Sequence, residues 1–421
     1  MENKRNFSRP ARSGSSYGSR FSRPASNGGG FRGGSNRGGR SGGHSRSRGG
    51  KGQGQYLDLR VFVNKAVIVE EVEHFLPEHN FTDFLIEPKL KQNITTKGYV
   101  APTPIQDRII PHILKGQDVV GIANTGTGKT GAFLIPLINK VILNKNEKVL
   151  VVVPTRELAI QINQELKGLT PMMSIFSVVC VGGMNIQPQI RDLRHHNQFI
   201  IGTPGRIKDL IERRALDLSN VKTVVLDEAD RMLDMGFIND MRFLMTKMSP
   251  DRHTLFFSAT MSKDIERLIH EFLREPVSIS VKTQDTSKNV DQDIVKMKAG
   301  QDKVEALRDL LIQPGFNKVL VFGRTKHGVE KLTVSLNRLG FKAESIHGNK
   351  NHVQRQRALN AFKEDKVQVL VATDVAARGL DIVGVSHVIN YELPSTYEDY
   401  IHRIGRTGRG NMKGQALTFI E

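Results

Sequence analysis

Between residue 119 and about residue 280, short apolar runs alternate with longer stretches whose apolar positions recur at helical spacing. The runs are Val119–Ile122, Lys148–Val153, Phe176–Val181, Gln198–Ile201, Thr223–Leu226 and Thr254–Ser258. They are apolar nearly throughout, not alternately apolar and polar, which suits strands covered on both faces. Strands alternating with amphipathic helices predict βαβ units and a parallel sheet. Upstream, Thr82-Asp83-Phe84 opens a helical run, Gly98-Tyr99 stops it, and Pro102-Thr103-Pro104 starts another. A polar stretch at 282–293 reads as a linker. The rhythm then resumes with Lys318–Phe322, Ala343–Ile346, Val367–Val371, His387–Ile389 and Ala416–Phe419. The expected fold class is α/β, with two tandem parallel-sheet domains, 81–282 and 294–421, joined by a short linker at 283–293.

The first 55 residues break this pattern. They are Gly, Ser, Arg and Asn with scattered aromatics, and they hold ten Arg and two Lys against one acid, Glu2. Such a segment cannot bury enough apolar surface to fold, so 1–55 is expected to be a disordered basic tail and 56–80 a lead-in. Phe31-Arg32-Gly33-Gly34 and Arg37-Gly38-Gly39-Arg40 resemble the RGG-type arms of RNA-binding proteins. Their arginines can meet phosphates, and Phe7, Tyr17, Phe21 and Phe31 can stack on bases; a solubilising linker is the alternative. Over the 421 residues the net charge is +18 and the pI about 9.9, which favours nucleic acid over an acidic membrane as partner. One cysteine, Cys180, excludes an intramolecular disulfide and a cysteine-based zinc cluster, and fits a reducing compartment. No apolar run reaches the roughly 18 residues of a membrane span. The opening MENKRNFSRP lacks the apolar core of a secretory signal, and the glycine load argues against an amphipathic transit peptide. A cytoplasmic location is the expectation.

The stretch Ala123-Asn124-Thr125-Gly126-Thr127-Gly128-Lys129-Thr130 lies between an apolar strand and an apolar helix. It reads as a phosphate loop with Ala at the first glycine position. Gly126 and Gly128 allow the backbone to turn its amides around phosphate oxygens, and the helix that follows adds its positive end. Lys129 supplies charge to the outer phosphates, and Thr130 a hydroxyl to Mg²⁺. A Gly-Thr turn before a helix is the plain alternative. Asp227-Glu228-Ala229-Asp230 follows the strand Thr223–Leu226, so its carboxylates fall at a strand's C-terminal edge, where open α/β sheets bind ligands. Asp227 is placed to hold Mg²⁺ and Glu228 to orient or deprotonate a water.

With these two motifs the chain resembles the DEAD-box RNA helicases of superfamily two, which implies two RecA-like domains. Gly98–Gln106 is similar to the family's Q motif, in which Gln106 reads adenine; Phe81, 17 residues before Gly98, holds the place of the adenine-stacking aromatic. A side-chain amide offers adenine a donor and an acceptor at once. Pro154-Thr155-Arg156, Gly183 and Thr203-Pro204-Gly205-Arg206 match the family's RNA-backbone motifs. Ser258-Ala259-Thr260 matches the motif that couples hydrolysis to RNA binding, and Asp230 is a further coupling residue. In the second half, Ala372–Ile382 implies that Asp381 bonds the ribose, Thr373 meets RNA phosphate and Arg378 ties the domains. His402–Arg409 implies coupling through His402 and two arginine fingers, Arg406 and Arg409, on the γ-phosphate; a solvated basic patch is the alternative. Arginine suits that task because its fork grips phosphate oxygens and stays charged.

The resemblance runs from about residue 81 to 420. His352 stands where the family often has Gln, three residues before Arg355, which leaves one RNA or interdomain contact open. The chain stops at Glu421, before the closing helix usual in the family. His347-Gly348-Asn349-Lys350 and the region Gly323–Gly328 resemble a bacterial, RhlE-like branch. The resemblance implies an RNA-stimulated ATPase that uses ATP and Mg²⁺, grips the RNA backbone with little sequence preference and opens duplexes locally, within ribosomal or RNA-turnover complexes. An ATP-dependent RNA clamp or RNP-remodelling scaffold carries the same motifs. A DNA translocase of the same superfamily is a second alternative.

Overall fold

The computed structural model describes residues 62–64, 75–124, 126–281, 290–297, 300–377, 382–408 and 413–420. The basic tail, Thr125, Arg378, Asp381 and Arg409 lie outside the described residues.

The first lobe is built on β1 (Val119–Ile122), β2 (Val149–Val152), β3 (Ser177–Cys180), β4 (Phe199–Gly202), β5 (Thr223–Leu226), β6 (His253–Ser258) and β7 (Val277–Ser280). They form one parallel sheet in the order β3-β4-β2-β5-β6-β1-β7. Successive residues feed two different cores. Val149, Val151 and Val153 enter the layer that contains the helix Lys129–Leu143, while Leu150 and Val152 enter the layer with Met232, Met241 and Leu268. Helices on both faces explain why the inner strands carry apolar residues at every position. All six strands read from the sequence are present, with ends shifted by no more than two residues.

The second lobe holds β8 (Val290–Lys296), β9 (Val319–Gly323), β10 (Ala343–Ile346), β11 (Val369–Thr373), β12 (His387–Asn390) and β13 (Gly414–Ile420). Its parallel sheet runs β10-β11-β9-β12-β13-β8, again between two apolar layers. The expected α/β architecture of two tandem parallel-sheet domains is therefore present. One boundary differs: residues 290–293, expected in the linker, begin β8. That strand is largely polar because it forms the sheet's edge and buries only part of its side chains.

The lead-in reaches both lobes. Glu78 N and His79 N donate to the Asp107 carboxylate at 2.9 and 3.1 Å, beside Gln106 on the helix Pro104–Leu114. Asn64 pairs with Gln292 of β8 in an antiparallel bridge, and Phe62 is buried against Tyr400, Val290, Ile404 and Ala416. Tyr400 belongs to the helix Tyr397–Ile404, which also carries His402.

Candidate nucleotide site and nucleic-acid surface

In a parallel sheet every strand delivers its C-terminal end to the same edge, which gathers the first-lobe motifs. The phosphate loop leaves β1, the DEAD residues leave β5, and Ser258 ends β6, three neighbouring strands. Backbone bonds extend the sheet past the strand ends: Ala123 N donates to Ser258 O at 3.0 Å, joining the ends of β1 and β6, and Asp227 N to Val152 O at 3.0 Å, joining the ends of β5 and β2. Gly126 and Gly128 have φ of +85° and +94°, as the loop requires. At Gly128 a Cβ would also sit 2.7 Å from Gln106 Nε2. Ala123 is fully buried within the apolar layer, so the methyl group at this usual glycine position is accommodated.

Lys129 is buried and donates to Ala123 O at 2.8 Å, which aims its ammonium back across the loop. Asp227 is 3% exposed, and burial pushes its carboxyl up to about 6, against the pull of Lys129. Asp230 moves the other way. Burial alone would raise it, but Lys129, Arg231 and His402 together hold it below the ordinary carboxylate value. Its Oδ2 accepts from Ala259 N and Thr260 N, both at 3.0 Å, and from Thr260 Oγ1 at 3.2 Å. Ser258 Oγ donates to Thr260 O at 2.8 Å. The last acid of the tetrad is thus joined to the Ser258–Thr260 turn. Glu228 has φ +54° and ψ +48°, a left-handed conformation uncommon outside glycine and often found at functional sites.

Gln106 and Phe81 are both buried. Gln106 Oε1 accepts from Thr103 N and Nε2 donates to Gly128 O, both at 3.0 Å. Each end of the amide already has a protein partner, so Gln106 ties the Q-motif helix to the phosphate loop. Phe81 is 6% exposed and packs edge-on against Tyr99 at 5.7 Å and Phe84 at 6.1 Å.

The residues matched to RNA-backbone motifs share the same strand edge, farther along the sheet. Thr155 follows β2 and caps the helix Arg156–Leu169. Gly183 follows β3 with φ +71°, and the Arg156 guanidinium lies so close that a Cβ there would sit 2.0 Å from Nη1. Pro154 and Thr203 are buried, Gly205 is exposed, and Thr203 leads into the helix Pro204–Glu212. Arg206 donates to Met184 O at 3.0 Å, and burial draws its guanidinium below the ordinary value. Thr373, at the end of β11, is 9% exposed.

The second lobe meets the first near the tetrad. Arg231 Nη1 pairs with Glu228 Oε2 at 2.7 Å, and Arg231 Nη2 lies 3.4 Å from His402 Nδ1. Arg406 is 4% exposed, with Nε donating to His402 O at 3.3 Å. Elsewhere across the lobes, Arg355 Nη2 sits 3.0 Å from Glu157 Oε1 with both side chains largely buried. Arg355 therefore makes an interdomain contact despite His352 in place of Gln, while the buried His352 Nδ1 has no partner. Sequence reasoning missed Arg231, Glu157 and Arg403. Arg403 is buried and grips Asp374 at two points, through Nε and, at 2.7 Å, through Nη2; its Nη1 donates to Asn390 Oδ1 at 3.1 Å. Only the Glu228–Arg231 pair had a local signal, two opposite charges spaced i,i+3 at a helix start.

Two family descriptions match: DEAD/DEAH box helicase over residues 103–268 and helicase conserved C-terminal domain over 302–411. The ATP-dependent RNA helicase CshA of Listeria monocytogenes is 44% identical over 343 residues, covering 81% of this chain and 66% of that relative. The DEAD-box ATP-dependent RNA helicase CshA of Bacillus cereus is 45% identical over 342 residues, covering 81% and 65%. The chain thus spans slightly less than two thirds of the length of these curated relatives. Among solved structures, the DEAD-box helicase Mss116 bound to ssRNA and UDP-BeF is 30% identical, with 82% of this chain and 75% of that one covered and a TM-score of 0.74. Saccharomyces cerevisiae Dbp5 bound to RNA and ADP BeF3 is 29% identical, covering 81% and 89%, with a TM-score of 0.72. Motifs, fold and relatives agree on a two-lobed, RecA-like helicase core. The chain belongs to the DEAD-box helicase family.

Proposed function

We propose that this chain is an RNA-stimulated ATPase that opens short RNA duplexes when its lobes close. The observation that carries the reading is the 3.4 Å approach of His402, from the second lobe, to Arg231 beside the proposed base Glu228. Hydrolysis then depends on closure, and RNA that favours closure favours ATP binding by the same factor. Phe81 and Gln106 form the adenine end of the site, and the backbone of 123–130, Thr125 included, holds the phosphates. Asp381 bonds the ribose, and Arg406 and Arg409 stabilise charge on the γ-phosphate. Glu228 takes a proton from the attacking water while the bond to the β-phosphate oxygen breaks. Asp230, Ser258, Thr260, His402 and Arg378 couple this step to RNA held by Pro154, Thr155, Arg156, Gly183, Thr203, Gly205, Arg206 and Thr373. These RNA contacts are to backbone, so sequence preference is small.

A divalent cation fits the donor set. Asp227 is a buried carboxylate that burial alone makes unfavourable, at the strand end facing Lys129. Among the described residues no cluster of three or more His, Cys, Asp or Glu could hold a metal. Mg²⁺ that keeps phosphate oxygens and waters as ligands needs only one or two from the protein. Asp227 and Thr130 would hold it. When bound it neutralises phosphate charge. Among the described residues no helix is long and apolar enough to cross a membrane; a cytoplasmic site of action and ribosomal or RNA-turnover complexes suit the reading. Strand displacement on a short duplex with an overhang, with and without ATP, tests it. ATP-dependent displacement is expected, and ATP-stabilised binding without displacement would make the chain a clamp.

A further inference from the structure

Arg231 is 2% exposed, with Arg403 one of two arginines among the largest fully buried side chains of the described residues, yet it belongs to no apolar layer. It lies in the six-residue helix Ala229–Asp234, and its guanidinium reaches back to the residue that caps the helix start. A buried charge is costly unless it is paired with good geometry, and removing either partner of such a pair leaves the other stranded. Here the partner is Glu228, at 2.7 Å from Nη1. Glu228 sits in a left-handed backbone conformation, φ +54° and ψ +48°, that sets the direction of its side chain. The carboxylate could still turn about its own torsions. Arg231 stops that rotation by holding Oε2, which leaves Oε1 for a proton transfer. The same guanidinium is the surface that His402 approaches from the second lobe.

We propose that Arg231 is a positioning residue for hydrolysis, fixing the Glu228 carboxylate in the orientation that activates water. This rests on Glu228 being the base in the reading above. The alternative is that the pair only fastens a short helix. Fastening would affect stability and not distinguish kcat from KM. Positioning would lower kcat, leave ATP and RNA binding intact, and disappear once Glu228 can no longer act as a base.

The test uses the full chain as wild type, Arg231→Met, Arg231→Lys, Glu228→Gln and the double variant Glu228→Gln with Arg231→Met. The readouts are kcat at saturating RNA, KM for ATP, affinity for a fluorescent ATP analogue, and melting temperature. Misdirecting a base should lower kcat in Arg231→Met by about 10- to 100-fold, with KM and analogue affinity within about 2-fold of wild type. Arg231→Lys, which keeps a cation within reach, should regain much of that loss. In the Glu228→Gln background, Arg231→Met should change kcat by less than about 2-fold, because both substitutions remove one function. If Arg231→Met folds poorly, the double variant decides, since it removes both charges of the pair and strands neither. Equal loss from Arg231→Met in both backgrounds, or wild-type kcat in Arg231→Met, overturns the proposal. Absence of RNA-stimulated hydrolysis in the wild type would instead remove the functional reading, and it is seen before any variant is compared.

Discussion

Replacing Asp227 with Asn should stabilise the first lobe while it stops hydrolysis. Asp227 is 3% exposed at the end of β5, and burial lifts its carboxyl from 3.8 to about 6 even though Lys129 pulls it down. A carboxyl whose value is raised by folding contributes full stability below about 3.8 and loses it as the pH climbs through about 6. The ionised form is therefore the less stable one at neutral pH. Proton linkage gives a difference of about 3 kcal/mol at pH 7.5 that falls to roughly half by pH 5 and nearly vanishes by pH 4. Asparagine imitates the protonated acid, and its side-chain oxygen can keep the bond that Asp227 Oδ1 accepts from Glu228 N at 2.9 Å. Urea denaturation of both proteins, without nucleotide or Mg²⁺ and at pH 5, 6 and 7.5, measures this. The transition of the first lobe is the one to compare, because two lobes need not unfold together. The Asn variant should be the more stable at pH 7.5 by about 2–3 kcal/mol, with roughly half that margin at pH 5. A margin that does not change with pH, or a less stable Asn variant at pH 7.5, would show that burial does not disfavour the ionised Asp227 carboxylate.

Three further substitutions probe other contacts. Gly183→Ala puts a methyl where the Arg156 guanidinium lies, at a backbone φ of +71°; RNA affinity should fall several-fold with ATP-analogue affinity unchanged, and unchanged RNA affinity would remove Arg156 and Gly183 from the RNA surface. Phe62→Ala removes a buried ring beside Tyr400, worth about 1.5–3 kcal/mol. The Gln292 amide, which donates to Asn64 O at 2.7 Å, should then exchange about 10- to 100-fold faster, and an unchanged rate would show that residues 62–64 do not depend on the ring. Arg403→Met breaks the buried pair with Asp374 and should destabilise the second lobe by about 3–5 kcal/mol in urea; a loss under about 1 kcal/mol would mean that Asp374 finds another partner or water.

The interior of the fold was legible because of where its strands lie. β1, β2, β4 and β5 are buried along their full length, so each shows as an unbroken apolar run. The strands that escaped notice, β7 and β8, are at sheet edges. Their sequences, VSIS and VDQDIVK, bury only part of their side chains and resemble linker. The site divides the same way. The phosphate loop, the tetrad and Ser258–Thr260 each need a fixed residue type within a few positions of a strand end, and such requirements leave a local pattern. The pairs Arg355–Glu157, Arg403–Asp374 and His79–Asp107 join residues distant in the chain, and no spacing announces them. Gln106 was legible from its motif, but its bonds to Thr103 N and Gly128 O were not, because a side-chain amide that can pair with adenine can equally bridge two backbone groups.

A complete hydrolytic site is expected only when RNA helps the two lobes close. The most direct measurement is ATP hydrolysis by the full chain with Mg²⁺, without nucleic acid and with saturating single-stranded RNA or DNA of the same sequence and length. Slow basal turnover, strong stimulation by RNA and much weaker stimulation by DNA are expected. Equal stimulation by the two, or turnover as fast without nucleic acid as with it, would contradict that expectation.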